Sequence, residues 1–121
     1  MRMLQETIIS AGDIAGAPAP VSAAIDASQI YSISAQVVMT GSSPTGTLKL
    51  QASNDKINAA NLALDTVPTN WSDIPNASVA ISATGAFLVP KTDLSYQWVR
   101  ALWVQTSGTG TVTVNIKTVG F

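Results

Sequence analysis

The sequence contains no cysteine and no histidine. The first absence excludes a disulfide framework, a thiolate metal site and a cysteine nucleophile, and it leaves the redox compartment unmarked. The second removes Ser–His and Cys–His catalysis, imidazole metal ligands and the commonest general base. Charge is scarce as well. Of the 121 residues 11% are Asp, Glu, Lys or Arg, against roughly 25% in an average soluble protein. Six basic residues against seven acidic ones give a net charge of −1. The basic residues are scattered and make no phosphate-binding footprint, so nucleic acid is not an expected partner. No segment approaches the length of about 18 apolar residues that a membrane helix needs. Glu6 interrupts the first apolar stretch, so no secretory signal and no membrane association are expected.

What replaces the charge is neutral polarity. The hydrophobic fraction is an ordinary 46% and the mean hydropathy is +0.29. Ser, Thr, Asn, Gln and Gly fill the remainder. Hydroxyl and amide surfaces cost less to desolvate than charged ones. A net charge of −1 also gives little self-repulsion. Both properties suit a chain that packs against copies of itself or against another subunit.

Patterning with period two dominates from residue 31 onward, the signature of half-buried strands. Ile33, Ala35, Val37 and Met39 form one apolar face, and Leu48, Leu50 and Ala52 another. The turn-forming Gly41-Ser42-Ser43-Pro44-Thr45-Gly46 between them predicts a hairpin. Residues 54–70 break the pattern, with one short helical turn or an open loop over Ile57–Leu64. Three short extended pieces follow, Trp71–Ile74, Ala77–Ile81 and Gly85–Pro90, with turns at Pro75-Asn76 and Ser82–Gly85. Tyr96–Thr106 is apolar on both faces and so central in its sheet. Ser107–Gly110 predicts a second hairpin turn into Thr111–Thr118. The fold expected is all-β: an antiparallel β-sandwich of about eight short strands, of which the jelly roll is one form, with a closed barrel as the alternative. Residues 1–30 are a separate stretch, either a strand pair of the sheet or an extended arm laid on a neighbour, and 31–121 are the sandwich domain.

No catalytic motif emerges, and the expectation is a protein that is not an enzyme and carries no cofactor or metal. Asp55, Asp65, Asp73 and Asp93 sit at loops and strand ends. A glycosidase would need two of them facing across a cleft, whereas turn carboxylates ordinarily bond nearby backbone N–H groups. Asn54, Asp55 and Asp93 supply oxygen for calcium but lack the spaced carboxylates of a calcium loop. Sugar binding has better candidates. Trp71 beside the long loop is the foremost aromatic platform. Trp98 shares a strand face with Arg100, a spacing that suits a guanidinium–indole stack. Trp103 reads as core. The closing alternation and Phe121 resemble the ending of an outer-membrane barrel, but the lipid-facing aromatic girdles are missing. Phe121 is expected instead to cap the core or dock on a neighbour.

Three stretches together carry a resemblance: Leu48-Lys49-Leu50-Gln51-Ala52-Ser53-Asn54-Asp55; Pro68-Thr69-Asn70-Trp71-Ser72-Asp73-Ile74-Pro75; and Tyr96–Trp103 followed by Gly108–Val114. In this order they resemble small β-sandwich structural proteins of tailed bacteriophages, over roughly residues 31–121. The resemblance implies a virion component: a capsid decoration or cement protein, a head-associated subunit, or a tail or adaptor piece. It implies partners that are copies of itself and other virion proteins such as a major capsid protein, and a location in the virion. Trp71, Trp98, Arg100 and Phe121 are the candidate interaction residues. A carbohydrate-binding module, with host glycans as ligands, is the alternative.

Overall fold

The computed structural model describes residues 2–16, 19–55 and 68–120. They form six strands: β1 (Arg2–Asp13), β2 (Ile25–Asp26), β3 (Ile30–Ser53), β4 (Ser72–Ile81), β5 (Gly85–Lys91) and β6 (Trp98–Gly120). All pairings are antiparallel. The centre of the fold is one ribbon. β3, with 24 residues, pairs along its whole length with β6, with 23.

Strands this long outrun the usual strand of about 3–10 residues, and the ribbon folds over. Gly41 lies opposite Gly110, and Ser42 opposite Thr109. From Ser42 to Thr45, three steps on β3 oppose two on β6; from Thr45 to Gly46, one step opposes two. Each strand thus carries one extra residue at the corner, and each extra residue reverses the in–out alternation. Burial accordingly passes from Ile33, Ala35, Val37 and Met39 to Leu48, Leu50 and Ala52 in β3. In β6 it passes from Val99, Ala101 and Trp103 to Val112, Val114 and Ile116. Both halves therefore present their apolar side to one interior.

The result is two layers. In the first, β1 and β5 flank the Ile30–Ser42 half of β3 and the Thr109–Gly120 half of β6. In the second, β4 lies on one side of the ribbon, and β2 with a bridge from Val21 to Leu102 on the other. This is an antiparallel β-sandwich folded from a doubled ribbon, jelly-roll-like in layout. The described residues on either side of positions 17–18 bond the two halves of β6. The N–H of Ile14 bonds the Gly110 carbonyl (3.2 Å), and that of Trp103 bonds Pro20 (3.0 Å). Ser22 both donates to Ala101 and accepts from it.

Two expected hairpins are corrected. Neither Gly41–Gly46 nor Ser107–Gly110 reverses the chain. The two stretches lie opposite each other and together make the corner. Splitting β3 and β6 there turns six strands into eight runs, the number expected, although β4 unites two of the expected pieces and β2 makes up the count. Pro75-Asn76 does not end a strand either. It lies within β4, where five steps from Asp73 to Ser78 oppose two from Gln51 to Lys49 and Asn76 takes φ 60°. The reading of Ile57–Leu64 lies outside the described residues.

Candidate functional site

On the outer side of the second layer, register brings Asp73 of β4, Gln51 of β3 and Arg100 of β6 into one row. Lys49 donates to one Asp73 oxygen (3.0 Å) and the Gln51 amide to the other (2.9 Å). The Gln51 carbonyl accepts from Arg100 Nε at 2.9 Å. The guanidinium lies over the ring of Trp71, 4.4 Å from its centroid. Trp71 immediately precedes β4 and donates its Nε1–H to the Pro68 carbonyl (3.1 Å), which fixes the indole. The arrangement continues across three strands: ammonium, carboxylate, amide, guanidinium, indole. Gln51 is buried in its midst, with both amide atoms used.

The electrostatics follow from these bonds. The Gln51 amide, then the Lys49 ammonium, hold the Asp73 carboxyl below its usual range by favouring the charged form. Partial burial lowers the Arg100 guanidinium. Its Nε is committed to Gln51, whereas its two terminal nitrogens have no hydrogen-bond partner among the described residues. A guanidinium fixed through Nε and a ring stack has a fork geometry suited to a carboxylate or another planar acceptor.

Beside this row stands the base of the long loop. Asp55 accepts from the N–H groups of Thr69 (2.7 Å) and Asn70 (3.0 Å) and from the Asn70 amide (3.0 Å). These bonds, the Asn70 side chain foremost, lower its carboxyl. Asn54 accepts from the Gln97 N–H at 2.9 Å. A shallow groove of about 190 Å³ runs here between Asn54, Asn70, Asp73 and Tyr96.

The outer side of the first layer has a different chemistry. Cross-strand rows read Thr7–Asn115–Gln36–Leu88 and Gln5–Lys117–Ser34–Pro90. Further rows bring Met3, Val119 and Ser32, then Thr113, Val38 and Ala86, to the same face. Among the described residues of these four rows, Lys117 is the only charge. Thr7 donates to Asn115 (2.6 Å), and the Thr40 and Thr111 hydroxyls are hydrogen-bonded to each other at 2.7 Å. Leu88 is 68% exposed in the edge strand β5.

The expected interaction residues separate. Trp71 and Arg100 come together. Trp98 does not join them: the Arg100 stack is on Trp71, and the expected Trp98–Arg100 stack is corrected. Trp98 is buried and donates to the Asp55 carbonyl (3.2 Å). Alternation along β6 puts Trp98 and Arg100 on one face, but the stack follows from β4 pairing beside β3, which brings Trp71 to the guanidinium. Trp103 is fully buried and donates to Gln105 (2.8 Å). Phe121 and Asp65 lie outside the described residues. The carboxylates of Asp55 and Asp73 are engaged in the local bonds given above, and Asp93 bonds the Tyr31 hydroxyl, raising that phenol. Lys49 and Gln51 are not among the expected site residues, and Asp73 is expected only as a candidate carboxylate. Lys49 and Gln51 read simply as outward positions of a strand, and only the register of three strands unites them with Arg100.

No protein-family model matches the chain, and no curated protein matches it in sequence. Solved structures do resemble it in shape. The prophage-derived protein YomS of SPBc2 superposes with a TM-score of 0.56 at 11% identity, over 98% of this chain and 94% of that one. PirA gives 0.54 at 12% identity, over 97% and 93%. The coat protein of Tobacco streak virus gives 0.44 at 9%, over 98% and 87%. The first two likenesses establish a shared fold. The chain is an antiparallel β-sandwich.

Proposed function

We propose that the chain is a non-enzymatic structural subunit of a phage particle, used in many symmetric copies as a capsid decoration or head-associated protein. The observation that carries this reading is the outer face of the first layer. It is broad and built from Thr, Asn, Gln, Ser, Val and Leu, with Lys117 as its lone charge in the four rows described. Such a face gives up little hydration on contact. It gains from apolar burial and amide pairing once covered. The low overall charge of the chain agrees with this use. The sandwich fold, which a prophage-derived protein shares, is compatible with it.

The test adds purified protein to particles assembled without it. Saturable binding at many copies per particle, with self-association of the free protein at micromolar concentration, is the expected result. A protein that stays monomeric at high concentration and leaves such particles bare overturns the reading.

A second reading rests on the Trp71–Arg100 pair beside the groove at Asn70. It gives this end of the sandwich a glycan ligand, bound by the indole, the guanidinium fork and the nearby amides. Binding on a glycan array that disappears in Trp71→Ala supports it. The absence of any Trp71-dependent signal removes it.

A further inference from the structure

Strand edges are the places where a β-sandwich recruits further chains, and most of the edges here are blunted. Proline has no N–H to donate and interrupts strand addition. β5 carries Pro90, β4 carries Pro75 next to the positive φ of Asn76, and the segment leading to Val21 and β2 contains Pro20. β1 differs. It has no proline from Arg2 to Asp13. Its register with β6 is unbroken from Arg2 to Thr7, before the irregularities at Thr7/Ile9 and Ile9/Gly12. Its other side pairs with no strand among the described residues.

This open edge also shows apolar side chains. Met3 is 66% exposed and Leu4 52%. Leu4 borders a groove of about 330 Å³ whose wall includes Ile25 and Ile30. The regular run reads Arg2-Met3-Leu4-Gln5-Glu6-Thr7, with one basic residue and, four positions on, one acidic residue.

The spacing of those two charges selects an occupant. We infer that the edge pairs with the β1 edge of a second copy of this chain, antiparallel and centred on Leu4. Leu4 then lies opposite Leu4 of the partner subunit, Met3 opposite Gln5, and Arg2 opposite Glu6, twice by symmetry. Opposite charges directly across strands stabilise a pair, whereas like charges disfavour it. A two-fold seam of this kind is self-complementary. It joins the first layers of two copies into one continuous sheet and sets their neutral outer faces side by side. The inference rests on the assembly reading above and gives it a specific contact.

The absence of cysteine allows a clean test in the full-length protein. At the two-fold position the Cα atoms of facing residues are about 4.5–5.5 Å apart, within disulfide reach. Leu4→Cys should therefore crosslink to itself under mild oxidation, with more than half of the chain running as a covalent dimer. Leu88→Cys, on the Pro90-bearing edge, should crosslink far less. Light scattering of the wild type should show dimers, Glu6→Lys should shift them toward monomer at least tenfold in dissociation constant, and Arg2→Glu combined with Glu6→Lys should restore them. Circular dichroism and thermal unfolding show that each variant is folded. Oligomers that form without Leu4 crosslinking, or that ignore the charge reversal, overturn the seam and leave the assembly reading intact. A wild type that is monomeric and also fails to bind particles overturns both.

Discussion

Gly41 and Gly110 face each other across the β3–β6 ribbon at the point where it folds over, with φ of 127° and 142°. A Cβ on Gly110 would collide with the Thr40 carbonyl oxygen, and one on Gly41 with that of Thr109. The corner thus needs glycine for two separate reasons, backbone conformation and lack of space. Gly85 supplies the comparison. Its φ is 147°, but a Cβ there would meet nothing closer than Phe87 at 3.6 Å.

Gly110→Ala should consequently cost more than Gly85→Ala. Strain alone is worth about 1–3 kcal/mol, and overlap with a fixed backbone adds about 1–3 kcal/mol. Urea unfolding should place Gly110→Ala at least about 2 kcal/mol below the wild type, with Gly85→Ala between them. Equal losses would mean that the close approach at the corner contributes nothing.

The Trp71–Arg100 stack should be measurable as a coupling. Exposed to partly desolvated cation–π pairs contribute about 0.5–2 kcal/mol. A double-mutant cycle of Trp71→Ala and Arg100→Ala, followed by denaturant unfolding, should return a coupling in that range. Arg100→Lys retains the charge but cannot keep the Nε bond to Gln51 together with the planar stack. It should recover less than half of the loss. A coupling of zero would show the stack to be incidental.

Acid should destabilise the protein in one window. The carboxyls of Asp55 and Asp73 are held below their usual range by donors present only in the folded state. A depressed folded pKa gives stability that is complete above the unfolded value of about 3.9. That stability is lost as the pH falls through the folded value. With no histidine in the chain, no imidazole titrates between pH 5 and 8. Thermal midpoints should be nearly flat across that range and decline below about pH 4. In Asp55→Asn and Asp73→Asn the midpoint should be lower at neutral pH and the acid decline shallower. A decline as steep as that of the wild type would assign the effect to other groups.

The all-β class, the alternating core positions and the buried Trp103 were legible in the sequence because side-chain period and burial are local properties. The corner was not. Gly41–Gly46 and Ser107–Gly110 have the composition of hairpin turns, and a strand–turn–strand pattern reads the same whether the chain reverses or the whole ribbon bends. Only the pairing of the two stretches with each other distinguishes them, and pairing is non-local. The site was legible in part for the same reason. Trp71 and Arg100 stand out by residue type, whereas Gln51 and Asp73 acquire meaning from a register that places them beside Arg100.

The neutral face of the first layer leads to the last prediction. Gln36 lies at its middle, between Asn115 of β6 and Leu88 of β5, and it is exposed. Its replacement by Lys removes no core contact, so the thermal midpoint should correspond to a stability within about 0.5 kcal/mol of the wild type. A second subunit or a particle surface packed on this face would have to bury the new ammonium unpaired, which costs several kcal/mol. Gln36→Lys should therefore reduce binding to particles lacking the protein by at least tenfold. Thr84→Lys, on the exposed connection between β4 and β5, should leave that binding unchanged. If the two variants bind alike, the face is solvated in the particle and the contact lies elsewhere on the sandwich.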